Sequence, residues 1–154
     1  MTMDKDFVVV ANALRAYIDT WNSGRVSQLR DFWDASLDEP VYVAEEAEVM
    51  RGWPTIEAYW STLDGLDVSI TTEPPHLSRL APDVILASYP MHWRIAFTGH
   101  PHWDRPIGGN VRVSAVFRRR DQDWRLVHYI EAPYAPAIQI KKWLERDSAL
   151  AIPA

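Results

Sequence analysis

The chain has 154 residues, a formal net charge of −5 and no cysteine. The length suits one domain, the acidic balance argues against a nucleic-acid partner, and the lack of cysteine excludes disulfides, thiolate catalysis and cysteine-ligated metals. No run approaches the roughly 18 apolar residues of a membrane helix, and the acidic start lacks the basic region of a signal peptide. We therefore expect a cytoplasmic protein without a membrane partner. Its eight tryptophans suit an aromatic core or a pocket for a flat ligand.

The first half of the chain is predicted to be mainly helical. Apolar residues recur at helical spacing in three places, and Asn, Gly and Pro residues mark where these segments begin and end. One stretch between them alternates like a short hairpin, with Glu45 and Glu46 near its turn. The predicted elements are, in order, a helix from Asp6 to Trp21, a short helix from Ser27 to Asp34, a hairpin from Val41 to Met50, and a helix started by Pro54 and ended by Gly65.

The second half is predicted to be strand-rich, so the order of helices followed by antiparallel strands indicates an α+β fold. The predicted strands are Val68 to Thr72, Val84 to Phe97, and a closing hairpin from Val111 to Pro133 with its turn at Asp121 and Gln122. We expect one domain over residues 1–135. We expect residues 136–154 to form a tail with a short helix that Pro136 starts.

His128 is the first candidate for a catalytic residue, because strand alternation predicts that it faces inward. Trp124, Leu126 and His128 share one face of the last strand, and Tyr129 and Glu131 share the other. A tight turn would also place the small Ala115 opposite His128 and leave space above the imidazole. The alternative is a core histidine satisfied by one hydrogen bond.

The long strand from Val84 to Phe97 supplies the predicted pocket wall. Alternation places Tyr89, Met91 and Trp93 inward and His92 and Arg94 outward. Pro90 offers an alternative, because proline in a strand often marks a bulge, and a bulge would turn His92 and Arg94 inward.

Two polar clusters are weaker candidates. Spacing allows His100, His102 and Asp104 to ligate a metal, but such a loop rich in Pro and Gly is more often an exposed turn, and we predict no metal and no cofactor. Glu45 is a candidate general base, with a simple hairpin-tip charge as the alternative.

Three segments together resemble the NTF2-like superfamily, specifically its SnoaL-like and DUF4440-like members. These segments are "AYIDTWNSG", "MRGWPTIEAYW" and "VFRRRDQDWRLVH", and the resemblance covers residues 6 to 133. It implies a cone in which a curved, mostly antiparallel sheet wraps around N-terminal helices and encloses a hydrophobic pocket. It also implies a homodimer or a higher homo-oligomer, and it places an inward histidine at His128.

Comparison with the ketosteroid isomerases of that superfamily matches their first-helix tyrosine to Tyr17, a possible hydrogen-bond donor to a substrate oxygen. Their catalytic aspartate has no clean counterpart among the nearby glutamates. Their second, acidic oxyanion donor would fall near Ser114 or Ala115, which have no carboxyl group. A steroid isomerase mechanism is therefore not indicated.

The favoured function is a cofactor-independent lyase or isomerase that eliminates water or formaldehyde from, or moves a proton within, a hydroxylated aromatic or polycyclic molecule. The predicted proton-handling residues are His128, Tyr17 and Glu45. The predicted substrate-binding residues are Trp21, Tyr42, Trp60, Tyr89, Met91 and Trp93, with His92 and Arg94 in reserve. The alternatives are a small-molecule binding protein without turnover and an accessory subunit resembling an aromatic-ring dioxygenase β subunit.

Overall fold

The computed structural model describes residues 4–45, 47–97, 99 and 105–134. Two α-helices and a short 3-10 helix come before most of the strands, so the predicted α+β order is confirmed. The elements are α1 (Lys5–Asn22), the 3-10 helix (Val26–Phe32), β1 (Val41–Val43), β2 (Met50–Arg51), α2 (Trp53–Thr62), β3 (Asp67–Thr72), β4 (His76–Ala81), β5 (Val84–Ala96), β6 (Ile107–Arg120) and β7 (Asp123–Pro133).

The seven strands form one sheet in the order β2, β1, β7, β6, β5, β3, with β4 also paired to β5. All neighbours are antiparallel except β1 and β7, so the predicted mostly antiparallel sheet is confirmed. The parallel pair places Tyr42 opposite Tyr129. The long strands β5, β6 and β7 carry most of the buried residues of the sheet, and α1 packs against β3 and β7.

Helix α1 begins where the Asp4 side chain accepts a hydrogen bond from the backbone N–H of Asp6 at 3.0 Å. Its buried stripe includes Leu14, Tyr17 and Trp21. At its other end, the Asn22 amide donates to the carbonyl of Ile70 at 2.9 Å and accepts from the Ile70 N–H at 2.6 Å. The Asn22 side chain thus hydrogen-bonds both backbone groups of Ile70 at the edge of β3, as a neighbouring strand would.

A β-bulge in the closing hairpin overturns the predicted orientation of His128. The tight turn is present and Arg119 pairs with Trp124, but the register shifts after that, because Phe117 pairs with Leu126 and Val116 pairs with His128. The extra residue, Val127, reverses the alternation beyond it. Tyr129 is therefore buried at 1% exposure, and His128 lies on the opposite face. The prediction that His128 faces inward is wrong.

Pro90 does not introduce a bulge. The pairing of β5 with β6 runs without a register shift from Val84 to Ile95, and Tyr89 and Met91 are buried. On its other edge β5 pairs with β4 as far as Ser88 and with β3 from Met91 onward. Pro90 lies between these two ladders, where its missing N–H removes no strand hydrogen bond. His92 and Arg94 are accordingly exposed, and the alternative that turns them inward is wrong.

Two strand segments were not predicted. Strand β4 carries no regular alternation of apolar residues and follows Pro74 and Pro75, so the sequence pattern does not indicate a strand there. Strand β6 begins at Ile107, although Ile107 to Asn110 reads as loop because of its two glycines. Glycine is required at Gly108, since a Cβ atom there would collide with the backbone carbonyl of Trp93.

Some predictions fall outside the described residues: Glu46, the set of His100, His102 and Asp104, and the tail 136–154. Neither described α-helix is both long enough and apolar enough to cross a bilayer.

Candidate functional site

An aromatic cavity lies between the helices and the sheet. Its volume is about 40 Å³, enough for a few water molecules. Four of the predicted binding residues line it, namely Trp21, Tyr42, Met91 and Trp93, whereas Trp60 and Tyr89 are buried but do not line it. The full lining is Trp21, Tyr42, Tyr59, Leu63, Val68, Ile70, Met91, Trp93, Ile95, Tyr129 and Glu131.

The rear of this cavity is held by contacts between aromatic rings. Tyr42 and Tyr129 stack with their centroids 5.3 Å apart and their planes 6° from parallel. Tyr42 also meets the edge of Trp60 at 5.8 Å, and Tyr17 packs against Tyr129 at 5.7 Å. Such pairs contribute roughly 0.5–1.5 kcal/mol each beyond their buried area, so this wall is expected to be rigid.

Two tyrosine hydroxyls form a short chain beside the cavity. Tyr89 donates to the hydroxyl of Tyr129 at 3.2 Å, and Tyr129 donates to the sulfur of Met91 at 3.6 Å. Burial raises the pKa of Tyr89 and of Tyr129 above the ordinary tyrosine value. Both phenols therefore stay protonated at neutral pH and act as hydrogen-bond donors, not as bases.

Glu131 is the only carboxylate among the described residues that line the cavity. Its Oε2 accepts the backbone N–H of Glu45 at 3.2 Å, and its Oε1 accepts the hydroxyl of Tyr42 at 3.5 Å. Sequence reasoning missed Glu131, because uninterrupted alternation placed it outward with Tyr129. The bulge at Val127 turns both residues inward together.

Glu45, predicted as a possible base, lies next to this carboxylate. Its Oε2 accepts the indole N–H of Trp93 at 2.7 Å. Its carboxylate also lies against Gly109, where an added Cβ would stand 2.9 Å from Oε2. The side chain of Glu45 thus contacts one wall of the cavity, and its backbone contacts the carboxylate of Glu131.

Tyr17 is completely buried, and burial raises its pKa well above the ordinary value. The indoles of Trp21 and Trp33 lie beside its hydroxyl and act against that rise, but neither reaches hydrogen-bonding geometry. Among the described residues, the Tyr17 hydroxyl and the indole N–H groups of Trp33 and Trp60 are buried donors without an acceptor. Buried donors of this kind usually have a partner.

The structure does not bring His128 to Tyr17. His128 pairs with Val41 and Val116 on the face of the sheet opposite Tyr129, and Tyr17 packs on Tyr129 from the helix side. Partial burial lowers the pKa of His128 below its ordinary 6.5, so the imidazole is mostly neutral at pH 7. The expected pairing of these two residues is not formed.

The two reserve candidates also lie outside the cavity. His92 Nδ1 is 3.0 Å from the side-chain oxygen of Asn110, and both residues border a surface groove on the outer face of the sheet. Arg94, two residues after His92 on β5, is also exposed. Within residues 4–45, 47–97, 99 and 105–134, no group of three His, Asp or Glu side chains could hold a metal ion.

Comparison with known proteins connects this arrangement to a family. The sequence pattern of the SnoaL-like domain matches residues 10–135. Comparison with curated proteins gives no match.

Solved structures share the fold at low sequence identity. A candidate dehydratase of the NTF2-like family from Streptomyces avermitilis has 17% identity and a TM-score of 0.74 over 87% of this chain and 100% of that chain. A candidate scytalone dehydratase from Novosphingobium aromaticivorans has 5% identity and a TM-score of 0.72 over 84% and 85% of the two chains. A candidate aromatic ring hydroxylase from the same organism has 11% identity and a TM-score of 0.73 over 88% and 94%. The expected NTF2-like fold is thereby confirmed.

Proposed function

The chain belongs to the SnoaL-like domain family, and from this premise we propose that it is a cofactor-independent lyase or isomerase acting on a small hydroxylated aromatic molecule. The observation that carries the proposal is the carboxylate of Glu131 in the wall of a cavity otherwise lined by aromatic and aliphatic side chains. A carboxylate in such a place can accept a proton, and the rings around it suit a flat substrate. Structural neighbours described as dehydratases support the same class of reaction.

Glu131 is the proposed general base. In an elimination, its carboxylate takes the proton from a carbon of the substrate, the electrons of that C–H bond form a double bond, and the neighbouring C–O bond breaks. The departing hydroxide takes up the proton that Glu131 has accepted, so water leaves and the carboxylate is restored. In an isomerisation, the proton held on Glu131 returns to a different carbon. Neither reaction changes the oxidation state of the substrate overall, so no oxidant or reductant is required.

Protonated tyrosines are the proposed hydrogen-bond donors. Tyr42 and Tyr129 line the cavity next to Glu131, and burial keeps the Tyr129 phenol protonated. To donate to a substrate oxygen, Tyr129 would exchange its long 3.6 Å hydrogen bond to the Met91 sulfur, and Tyr42 its 3.5 Å bond to Glu131. A phenol so directed stabilises the negative charge that develops when the proton is removed. Tyr17 packs behind Tyr129 and does not line the cavity, so its buried hydroxyl, which lacks an acceptor among the described residues, reaches a ligand only if Tyr129 moves aside. His128 remains a candidate only for a role on the outer face.

The cavity limits the size of the substrate. Its 40 Å³ is far below the roughly 300 Å³ or more of a typical ligand pocket. A cavity that binds one benzene ring measures about 150 Å³, so even a single substituted ring requires the lining side chains to move apart, and a polycyclic molecule requires a much larger displacement of the wall. We therefore narrow the expected substrate from aromatic or polycyclic compounds to hydroxylated monocyclic ones.

The test is a panel of hydroxylated monocyclic compounds incubated with the protein in D₂O and followed by proton NMR. Proton abstraction replaces an activated C–H by C–D even when no net product accumulates, and elimination adds new vinyl or aromatic signals. We expect enzyme-dependent exchange or elimination for at least one compound. No exchange in any compound that binds would contradict the enzymatic function.

That last outcome would favour a binding protein without turnover, which the aromatic and aliphatic lining of the cavity also suits. The other rival is an accessory subunit, favoured by the structural neighbour described as an aromatic ring hydroxylase. The accessory role predicts that a large oxygenase subunit from the same cells copurifies stoichiometrically with this chain. A homo-oligomer, measured by sedimentation velocity, is compatible with all three functions.

A further inference from the structure

We propose that Glu45 is a positioning residue which, seated on Gly109, holds the indole of Trp93 in the cavity wall and restricts the ligand to a single ring. The proposal rests on the proposed function only in assuming that this cavity is the ligand site. Glu45 is thereby given a role different from that of a general base.

The contacts of Glu45 join two walls of the cavity. Its side chain accepts the Trp93 indole N–H at 2.7 Å, and its backbone N–H donates to Glu131 at 3.2 Å. Trp93 and Glu131 both line the cavity, on β5 and β7 respectively, and Glu45 itself does not. Hydrogen bonds to a carboxylate are among the stronger ones in proteins. A residue just outside the cavity therefore fixes an aromatic wall and contacts the polar group opposite it.

Gly109 makes this arrangement possible. It lies on β6 directly opposite Trp93 in the strand register. An added Cβ would stand 2.9 Å from Glu45 Oε2 and 3.3 Å from Trp93 Nε1, which is closer than side-chain carbons normally approach. Any larger residue at this position would crowd both the carboxylate of Glu45 and the indole nitrogen of Trp93, and would thereby disturb the hydrogen bond between them.

Ligand size follows from the position of the indole. While Glu45 holds it, Trp93 closes one side of a cavity of 40 Å³. Once released, the indole can move from the wall and the space can admit a second fused ring. Glu45, Trp93 and Gly109 together then determine specificity through shape, separately from the proton transfer assigned to Glu131.

The first measurement is binding of phenol and of 2-naphthol to the full-length protein, followed by NMR. The variants are Glu45→Ala, Gly109→Ala and the conservative Glu45→Gln, whose amide oxygen can still accept the indole N–H. Glu48→Ala is the matched control, because Glu48 is an exposed glutamate of the same loop. We expect Glu45→Ala and Gly109→Ala to shift the ratio of affinities toward 2-naphthol by about tenfold, or about 1.4 kcal/mol. Glu45→Gln and Glu48→Ala should keep the wild-type ratio, and an unchanged ratio in all variants would overturn the proposal.

The second measurement needs no ligand. The indole N–H resonance of Trp93, identified by its loss in Trp93→Phe, should move upfield and exchange faster with solvent in Glu45→Ala and Gly109→Ala, but not in Glu48→Ala. An unmoved resonance would overturn the proposed clamp. If the wild-type protein binds neither phenol nor 2-naphthol, the proposed ligand site fails, and this resonance alone decides whether Glu45 positions Trp93.

Discussion

The rings of Tyr42 and Tyr129 stack in parallel at 5.3 Å, because β1 and β7 run parallel and place these two residues side by side. The same register carries Glu131, two residues after Tyr129, onto the cavity side of β7. The stack thus forms the rear wall of the site. Because side chains alternate along β7, the carboxylate of Glu131 lies on the same side of the strand as Tyr129.

The hydrogen bond between Tyr89 and Tyr129 predicts an unequal response to removal of the two hydroxyls. In Tyr129→Phe the buried Tyr89 hydroxyl loses its acceptor, which costs about 1–3 kcal/mol in the free energy of unfolding. Tyr89→Phe costs less, because Tyr129 still donates to Met91. The double variant should be more stable than Tyr129→Phe alone. Urea unfolding measures all three, and a double variant less stable than Tyr129→Phe would contradict the assignment.

The buried hydroxyl of Tyr17 predicts that stability and ligand binding respond in opposite directions. Tyr17→Phe removes a donor that has no acceptor among the described residues, so the free energy of unfolding should stay the same or rise by about 1 kcal/mol. If Tyr17 donates to a ligand, affinity for that ligand should fall in the same variant. Thermal unfolding with and without ligand tests this. A clear loss of stability in the absence of ligand would show that the hydroxyl has a structural partner.

The carboxylate of Asp34 is buried at 3% exposure and accepts hydrogen bonds from Ser36, Arg118 and Arg120. Burial alone would raise its pKa, but these donors lower the pKa well below the ordinary value. The ionised carboxylate therefore stabilises the fold above about pH 4, and this contribution is lost as pH falls toward the lower folded-state pKa.

Asp34→Asn should accordingly lower the free energy of unfolding by about 3 kcal/mol at pH 7. The difference in free energy of unfolding between this variant and the wild-type protein should decrease below about pH 4. Denaturant unfolding across pH measures it, with Asp64→Asn, at an exposed position, as control. A difference in free energy of unfolding that increases in acid would contradict a lowered pKa of Asp34.

The outer-face position of His128 predicts its titration. Because burial lowers its pKa, NMR should give a value below 6.5. A lowered histidine pKa means that the unfolded chain binds more protons, so stability is present at higher pH and is lost as pH falls through 6.5 and then through the folded-state pKa. His128→Gln should lack that part of the loss. A measured pKa above 6.5 would instead indicate a carboxylate partner and a different environment.

The sequence predicts most of the fold, because helical spacing and strand alternation are regular over long stretches. The buried faces of α1 and β5 follow this spacing, and even Pro90 leaves the alternation of β5 intact. Strand β4 cannot be predicted in the same way, because exposed and half-buried residues do not alternate regularly along it. Local patterns carry little information about a strand whose partners decide its place.

The site is less predictable, because one inserted residue controls it. Trp124 and Leu126 face inward as predicted, and Val127 then displaces every later residue of β7 to the other face. As a result, His128 lies on the face away from the cavity, and Tyr129 and Glu131 lie on the face that lines it. No glycine or proline marks the bulge in "RLVHYIE". The burial of a large aromatic residue decides it, since Tyr129 packs against both Tyr17 and Tyr42.

The most direct test of the account compares Glu131→Gln with His128→Gln for deuterium incorporation from D₂O into a bound hydroxylated monocyclic compound. We expect Glu131→Gln to lower the exchange rate at least about 100-fold, the usual contribution of a general base, while the exchange rate of His128→Gln stays within about twofold of the wild-type rate. Both variants should bind the compound and unfold cooperatively. Loss of exchange in His128→Gln with retention in Glu131→Gln would contradict the assignment of Glu131 as the base.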